Sequence, residues 1–308
     1  MGLGIASVQN ILELHNLGYL KNSNSVIEIG SQELHLKKED LKELFEYAGL
    51  KSDLIDEYPN INNWPFSPRT SSKHFYKTLG IKEYQSIDIS GLLDAIPHDL
   101  NKPFEDRSKF NSFDIVTDYG SCEHVFNVAE CYRAMHNLTK PGGYIIVAQS
   151  LLKGNGYFNF DESFFEGIAA ANGYKIIFNS YVITPGDKTK SGSLYQFHIP
   201  RNQKLLNVLD YSKLNTTERV TEIGIYGVLQ KIKEDEFKMP YQNNLMKDVY
   251  NISGFRRTYS KEPMGYTYTP SSTIILEETS LTLIIKALFK WFKTKIRRIV
   301  RIMIMKVK

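Results

Sequence analysis

The sequence predicts an α/β fold built on a mostly parallel sheet, and three observations carry that expectation. Two short apolar runs, Phe113-Asp114-Ile115-Val116 and Tyr144-Ile145-Ile146-Val147-Ala148, have the length and character of buried strands. Between them, across residues 123–138, Val125, Val128, Ala129, Tyr132 and Met135 recur at helical intervals. Pro141-Gly142-Gly143 then supplies a breaker and a turn. Strand, helix, turn and strand make a βαβ unit, because a chain returning to the same end of a parallel sheet needs a crossover.

The elements around that unit follow in order. Residues 5–17 place Ile5, Val8, Ile11, Leu12 and Leu14 on one side, which suits a leading helix that covers one sheet face. Val26-Ile27-Glu28-Ile29-Gly30 reads as the first and central strand. Glu28 is costly to bury alone, so it either lies near the strand end or is tied to polar partners. Residues 38–49 read as a helix with Leu41, Leu44, Phe45 and Ala48 on one face and Gly49 as its stop. Prolines 59, 65 and 68 mark residues 53–69 as a long loop with an exposed Trp64, either a lid or an inert insertion. Residues 71–79 should be helical and lead into a strand at 84–89 that Asp88 closes. Too few residues separate Asp88 from Asp99 for a crossover helix, so a third strand should be short or vestigial.

After the central unit comes an aromatic loop, Asn155-Gly156-Tyr157-Phe158-Asn159-Phe160, with Asp161 as the N-cap of a helix through Ala171. Its rings either wall a substrate pocket or form a small core beneath the loop, and the second reading is preferred for Phe158 and Phe160. Residues 174–184 and 223–232 read as strands, with 185–221 as an insertion between them.

Hydrophobic residues make up 42% and charged residues 23% of the 308, ordinary values for a globular chain. Cys122 and Cys131 lie along one expected helix, which argues against a disulfide and for a reducing, cytoplasmic setting. The net charge of +4 is a property of the tail, since nine basic residues and no acid follow from Lys286 onward. The rest of the chain is net acidic, so no nucleic-acid-binding face is indicated. No metal-ligand cluster, Ser-His-Asp signature or Walker phosphate loop is present.

Phe113-Asp114-Ile115-Val116, Glu123-His124-Val125-Phe126-Asn127 and Asn137-Leu138-Thr139-Lys140-Pro141-Gly142-Gly143-Tyr144, in this order and spacing, resemble the Rossmann-like (class I) S-adenosylmethionine-dependent methyltransferases. The resemblance spans roughly residues 20–235. It implies a doubly wound, mostly parallel sheet with an antiparallel edge hairpin formed by the two late strands. It also implies S-adenosylmethionine as cofactor. Glu28, Gly30 and Ser31 would meet its methionine end, Asp88 its ribose hydroxyls, and Asp99 and Leu100 its adenine, with Asp118 on the same rim. The sequence departs from the family at Gly30-Ser31-Gln32-Glu33, which lacks the second and third glycines of the usual turn and so marks a degenerate cofactor loop. The aromatic loop is similar to that of relatives acting on surface glycans or other small molecules.

His124, at a strand's C-terminal end, is the candidate general base, with loop orientation as its competing role. The expected organisation is a methyltransferase-like domain over 1–236 with insertions near 50–70 and 185–221, a Tyr-rich extension over 237–280, and a tail over 281–308. The expected activity is O-methylation of a small-molecule or surface-glycan intermediate. The alternative, suggested by the eroded glycine turn, is a catalytically silent member of the fold acting as a membrane-associated interaction subunit. In the tail, Ile284, Leu288, Trp291 or Phe292, Ile296, Ile299 or Val300, and Met303 line one side at intervals of three or four, among lysines and arginines. That pattern fits a basic amphipathic helix on an anionic membrane surface at the inner face, where each basic residue adds about 1 kcal/mol. Deleting residues 281–308 should leave a folded protein that no longer sediments with anionic liposomes; unchanged sedimentation would remove the membrane assignment.

Overall fold

In chain order the protein forms β1 (Gly2–Leu3), α1 (Ile5–Asn16), β2 (Ser25–Ile29), β3 (Glu33–Leu34), α2 (Lys38–Tyr47), α3 (Ser72–Thr78) and β4 (Glu83–Ile87). There follow β5 (Phe113–Tyr119), α4 (Val128–Leu138), β6 (Thr139–Leu151), α5 (Glu162–Asn172), β7 (Lys175–Pro185), β8 (Phe197–Ile199) and β9 (Val220–Gln230). The computed structural model describes residues 2–151, 156–185, 196–199, 220–241 and 249–250. The tail helix expected over 281–308 lies outside the described residues, as do most of the Tyr-rich extension at 237–280 and most of the insertion at 185–221.

One sheet organises these elements, in the order β4-β2-β5-β6-β9-β7-β8. The first four strands are mutually parallel. β9 runs antiparallel between β6 and β7, which gives the expected edge hairpin, and β8 extends that edge by pairing with β7. β8 comes from within the stretch read as an insertion, so part of that stretch belongs to the sheet. The small pair β1–β3 stands apart from it.

Alternation along β2 shows why both faces are covered. Val26 joins the core formed with α1, α2 and α3, whereas Ile27 and Ile29 join the core formed with α4 and α5. Because successive side chains of a strand point to opposite faces, the second position after Val26 places Glu28 on the α1–α3 side. Tyr132 and Met135 of α4 and Phe165 and Ile168 of α5 fill the other side. Phe158 packs at the margin of that core and Phe160 is buried in it, its ring edge-on to Tyr132 and tilted against Phe164 and Phe165. The aromatic loop is thus a small core in its Phe158–Phe160 half.

Several expectations shift. The helix expected over 123–138 begins only at Val128, because Cys122–His124 forms a separate 3-10 turn; Val125 is buried without being helical. The strand expected over 144–148 runs from Thr139 to Leu151, with Pro141-Gly142-Gly143 inside it and a register shift against β5. Backbone bonds from Gly142 N to Lys231 O (2.7 Å) and Lys231 N to Gly143 O (3.0 Å) hold that segment against the end of β9. The expected third strand is reduced to one parallel bridge, Ile87 to Ile96. The 53–69 loop contains a 3-10 turn (Asp53–Glu57) and buries Ile55, Tyr58 and Ile61, and Trp64 is half-buried with the Arg69 guanidinium 5.3 Å over its ring. Cys122 and Cys131 are both buried free thiols. Packing continues past residue 236, since Phe237 is buried and Lys238 N donates to Asn172 Oδ1 at 2.7 Å.

Lys231 is the polar link between β9 and the far end of α4. Its buried Nζ donates to Asn111 Oδ1 (2.8 Å), His136 O (2.8 Å) and Thr139 O (3.0 Å), placing a cation at a helix C-terminus. Lys231→Met should therefore lower stability by roughly 1–3 kcal/mol for each buried carbonyl left unpaired. Urea unfolding should show a lower midpoint with an unchanged slope.

Candidate functional site

The candidate residues sit where the parallel strands end, the place at which open α/β sheets gather ligands. Six of them, Gly30, Ser31, Asp88, Asp99, Leu100 and Asp118, take part with their neighbours in hydrogen bonds at this end of the sheet. Gly30 follows β2 with φ +91, a conformation that favours glycine, and its N–H donates to Ile87 O at 2.7 Å. Ser31 N donates to Asp88 Oδ2 at 2.9 Å, and Ser31 Oγ donates to Leu92 O at 2.7 Å. The other carboxylate oxygen of Asp88 accepts from Ser90 N (2.8 Å) and Ser90 Oγ (2.7 Å). Asp88 is thus joined directly to the turn that leaves β2, and it also closes its own turn. Despite partial burial, these hydrogen bonds hold its carboxyl below the usual range.

Beyond Asp88 come Asp99 and Leu100. Asp88 N bonds to Ile96 O, and Asp99 Oδ1 accepts from Asn101 N and Nδ2, both at 3.0 Å. These two bonds hold the Asp99 carboxyl below its ordinary range. Leu100 is half-buried, and its carbonyl receives the Cys131 thiol at 3.9 Å. Asn101 then docks on Asn127, which leads into α4, through two bonds of 3.0 Å.

Asp118 stands near the end of β5. It is fully buried and accepts from Ser121 N (2.8 Å), Cys122 N (3.2 Å) and the Gln149 amide. Burial raises its pKa. By capturing two backbone amides it shapes the Cys122–His124 turn, and that turn carries His124 outward with a third of its side chain exposed. His124 Nε2 lies 3.5 Å from Glu123 Oε1, and burial lowers the imidazole pKa below its ordinary 6.5. Glu123 in turn accepts Ser150 N at 3.1 Å and Tyr157 N at 2.7 Å, stapling the β5 and β6 ends together. Beside His124, Phe126 and Tyr157 are 76% and 70% exposed, with ring centroids 5.9 Å apart and edge to face.

Glu28 does not join this rim. It is fully buried on the α1–α3 side, where it accepts from Ser72 Oγ, from Tyr84 OH at 2.7 Å and from Thr117 Oγ1 at 3.3 Å. Burial pushes its pKa up to about 7.

Sequence reasoning singled out Gln32 only as a departure from the family's glycine turn, and it missed the partner Ser121. Gln32 Nε2 donates to Ile29 O and to Ser121 Oγ, both at 2.9 Å, and Ser121 Oγ donates to Ile29 O at 2.6 Å. A Cβ on Gly30 would lie 2.1 Å from Ser121 Oγ and 2.9 Å from Gln32 Nε2. Two side chains therefore fill the space beside the single glycine. The one signal in the sequence was Gln32 itself, standing where the family has glycine.

A separate cavity of about 270 Å³ opens along β4, lined by Lys73, Tyr84, Leu93, Ile96 and Lys109 among others; none of the candidate residues lines it. Among the described residues no group of His, Cys, Asp and Glu is placed to hold a metal ion, and no helix is long and apolar enough to cross a membrane.

The raised pKa of Glu28 fixes the sign of one pH effect. The folded state binds more protons than the unfolded chain between about pH 4.5 and 7, so burial of Glu28 makes stability fall as pH rises through that window. Glu28→Gln should flatten the decline by up to about 1.4 kcal/mol per pH unit. Denaturation midpoints of both proteins across pH 4.5–7 measure it, and parallel curves would contradict the assignment.

Residues 81–147 match a family model described as a methyltransferase domain. No curated protein matches the chain. Among solved structures, the chain is similar to a SAM-dependent methyltransferase from Aquifex aeolicus, at 11% identity over 73% of this chain and 97% of that one, with a TM-score of 0.30. It is also similar to a putative methyltransferase from Bacillus halodurans C-125, at 12% identity over 74% and 99%, with a TM-score of 0.32. A third is the trans-methyltransferase CalH in complex with SAH, at 16% identity over 49% of this chain and 39% of that one, with a TM-score of 0.28. The match to a methyltransferase domain at 81–147 falls on β4, β5, α4 and most of β6, and these three strands run parallel at the centre and one edge of the sheet.

Proposed function

We propose that the chain transfers a methyl group from S-adenosylmethionine to a hydroxyl of a small-molecule or surface-glycan intermediate. The observation that carries this reading is a one-third-exposed imidazole, His124, at the same end of the sheet as Gly30, Asp88 and Asp99, with burial lowering its pKa. The rim suits the cofactor in two respects. The partly exposed carboxylates of Asp88 and Asp99 offer acceptors to a nucleoside. The side-chain oxygen of Gln32, buried at the turn without a hydrogen-bond partner, calls for a donor. Gly30 and Ser31 bring backbone to the same turn, Leu100 adds an apolar contact, and Asp118 holds the turn that presents His124; Glu28 supports β2 from the opposite face.

When bound, the cofactor supplies an electrophilic methyl on a sulfonium. The protein's part is mostly positional, because holding an acceptor oxygen in line with that methyl removes the entropic share of the barrier. A hydroxyl acceptor must also lose its proton as the new bond forms, and His124, whose unprotonated form burial favours, can take it. The Phe126–Tyr157 pair offers an acceptor ring an apolar edge beside that base. A second reading, a catalytically silent subunit, is favoured by one observation, the filling of the Gly30 turn by Gln32 and Ser121. Calorimetry with S-adenosylhomocysteine separates the two: binding supports the enzyme, and absence of binding at millimolar ligand supports the silent subunit.

His124→Asn should lower turnover about 10²- to 10⁴-fold while leaving S-adenosylhomocysteine affinity unchanged. Because the base works unprotonated and its pKa is depressed, the unaltered protein should lose activity only as pH falls below 6.5, and the variant should lose that limb of the profile. Methyl transfer from labelled cofactor into extracted small-molecule and glycan intermediates is the assay; an unaltered rate in the variant would remove His124 from the reaction.

A further inference from the structure

We propose that the cavity along β4 is a binding site for a small phosphorylated molecule, with the phosphate held between Lys73 and Lys109 and the organic part laid on Leu93, Ile96 and Tyr84. The site is separate from the strand-end rim and does not rest on the methyltransferase reading. Its origin lies in the missing third strand. Ile96 pairs with β4 as a strand would, its N–H donating to Ser86 O at 2.8 Å and its carbonyl accepting Asp88 N at 3.1 Å. A strand continued backwards from Ile96 would cover β4 beside Tyr84 and Gln85. The chain instead turns away there, with Leu93 (φ 55, ψ 38) and Asp94 (φ 61) both in the left-handed conformation. For a leucine that conformation is strained, since its Cβ crowds the following carbonyl, and such strain gathers at ligand sites. The gap so left is the cavity of about 270 Å³, and Leu93 and Asp94 stand in its wall.

Two lysines and one acid line this space, and neither ammonium is neutralised. Lys73 Nζ stands 3.8 Å from Asp94 Oδ2, the outer limit of an ion pair, and the Asp94 side chain is 91% exposed, so water screens the attraction. Lys109 forms no ion pair among the described residues, and the Asp106 carboxyl that feels its charge is capped by Ser108 N at 3.2 Å and Ser108 Oγ at 2.5 Å. A lysine meets an anion as a compact charge with three donors. A phosphate ester carries about −1.5 to −2 charge at pH 7 and three strong acceptor oxygens, so one phosphate can engage both lysines where a carboxylate brings half the charge. The remaining wall is apolar. Leu93 and Ile96 are half-buried, and Tyr84 OH is committed to Glu28 at 2.7 Å, so the tyrosine offers ring surface rather than a donor. The volume lies just below the range of about 300–1,000 Å³ usual for drug-sized ligands, which suits one small molecule and not a polymer.

The test is calorimetry on the full chain with inorganic phosphate, phenyl phosphate and phenol. Phosphate and its ester should bind saturably, the ester more tightly, and phenol should not bind. Lys73→Met and Lys109→Met, which keep the apolar stems, should each weaken phenyl phosphate by about tenfold or more, as expected when one charge-assisted hydrogen bond is lost, and the double variant should not bind it. Lys102→Met removes an exposed lysine outside the cavity wall and should leave the affinity within about twofold, because solvent and salt screen a distant charge. Thermal midpoints without ligand, unchanged in the variants, show that they fold; if a methionine variant does not, Lys73→Gln and Lys109→Gln are read in the same way. Absence of phosphate binding by the unaltered chain, a double variant that binds as before, or equal weakening by Lys102→Met overturns the site. An ester no tighter than inorganic phosphate overturns its apolar half, and a phosphoserine peptide that binds more tightly than phenyl phosphate overturns the small-molecule class.

Discussion

The path of the backbone out of β2 is the constraint on which the functional end of the molecule depends. At Gly30 the chain turns with φ +91 while Ser121 Oγ occupies the place of a β-carbon. Only glycine accommodates both demands. The contact joins the ends of the two central strands, because Ser121 belongs to the turn after β5 and its hydroxyl bonds the carbonyl that closes β2. Asp118, by capturing Ser121 N and Cys122 N, sets that turn, and the same turn carries His124. Positioning of the imidazole, the glycine and Asp88 is thus one mechanical problem with one solution.

The two sheet faces divide the remaining work. On the α1–α3 side a buried carboxylate is held by three hydroxyls, a polar knot inside an otherwise apolar layer. Its partners come from α3, β4 and β5, so it fixes their relative placement through directional bonds that hydrocarbon packing does not provide. On the α4–α5 side the layer is dominated by aromatic and aliphatic side chains, and the loop after β6 is anchored by Phe160. The half of that loop bearing Tyr157 is left facing outward beside Phe126.

Much of this was legible in the sequence because it follows from local pattern. Short apolar runs placed β2 and β5, helical spacing placed α1, α2 and α4, the N-cap at Asp161 placed α5, and the short interval between Asp88 and Asp99 left room only for the single bridge at Ile96. What escaped was set by contacts distant in the chain. The start of α4 was displaced because Asp118 draws the preceding amides into a separate turn. β6 runs through Pro141-Gly142-Gly143 because the end of β9 pairs there. The Gln32 amide was unreadable because its partner Ser121 is 89 residues away. Glu28 was readable only as a choice between a strand-end acid and a tied one, and its hydroxyl partners decide for the second.

The reduction of the third strand to a bridge leaves β4 as a terminal strand of the sheet among the described residues. Such borders invite other chains to stack alongside, and short length with charge is the usual protection. β4 has both, being five residues long, with exposed Lys82 and Glu83 at its entrance. Tyr84, on this border, also holds the buried Glu28 carboxylate. Self-association along the border would therefore be felt at the centre of the sheet, and the charges that discourage it guard the interior as well as the outline.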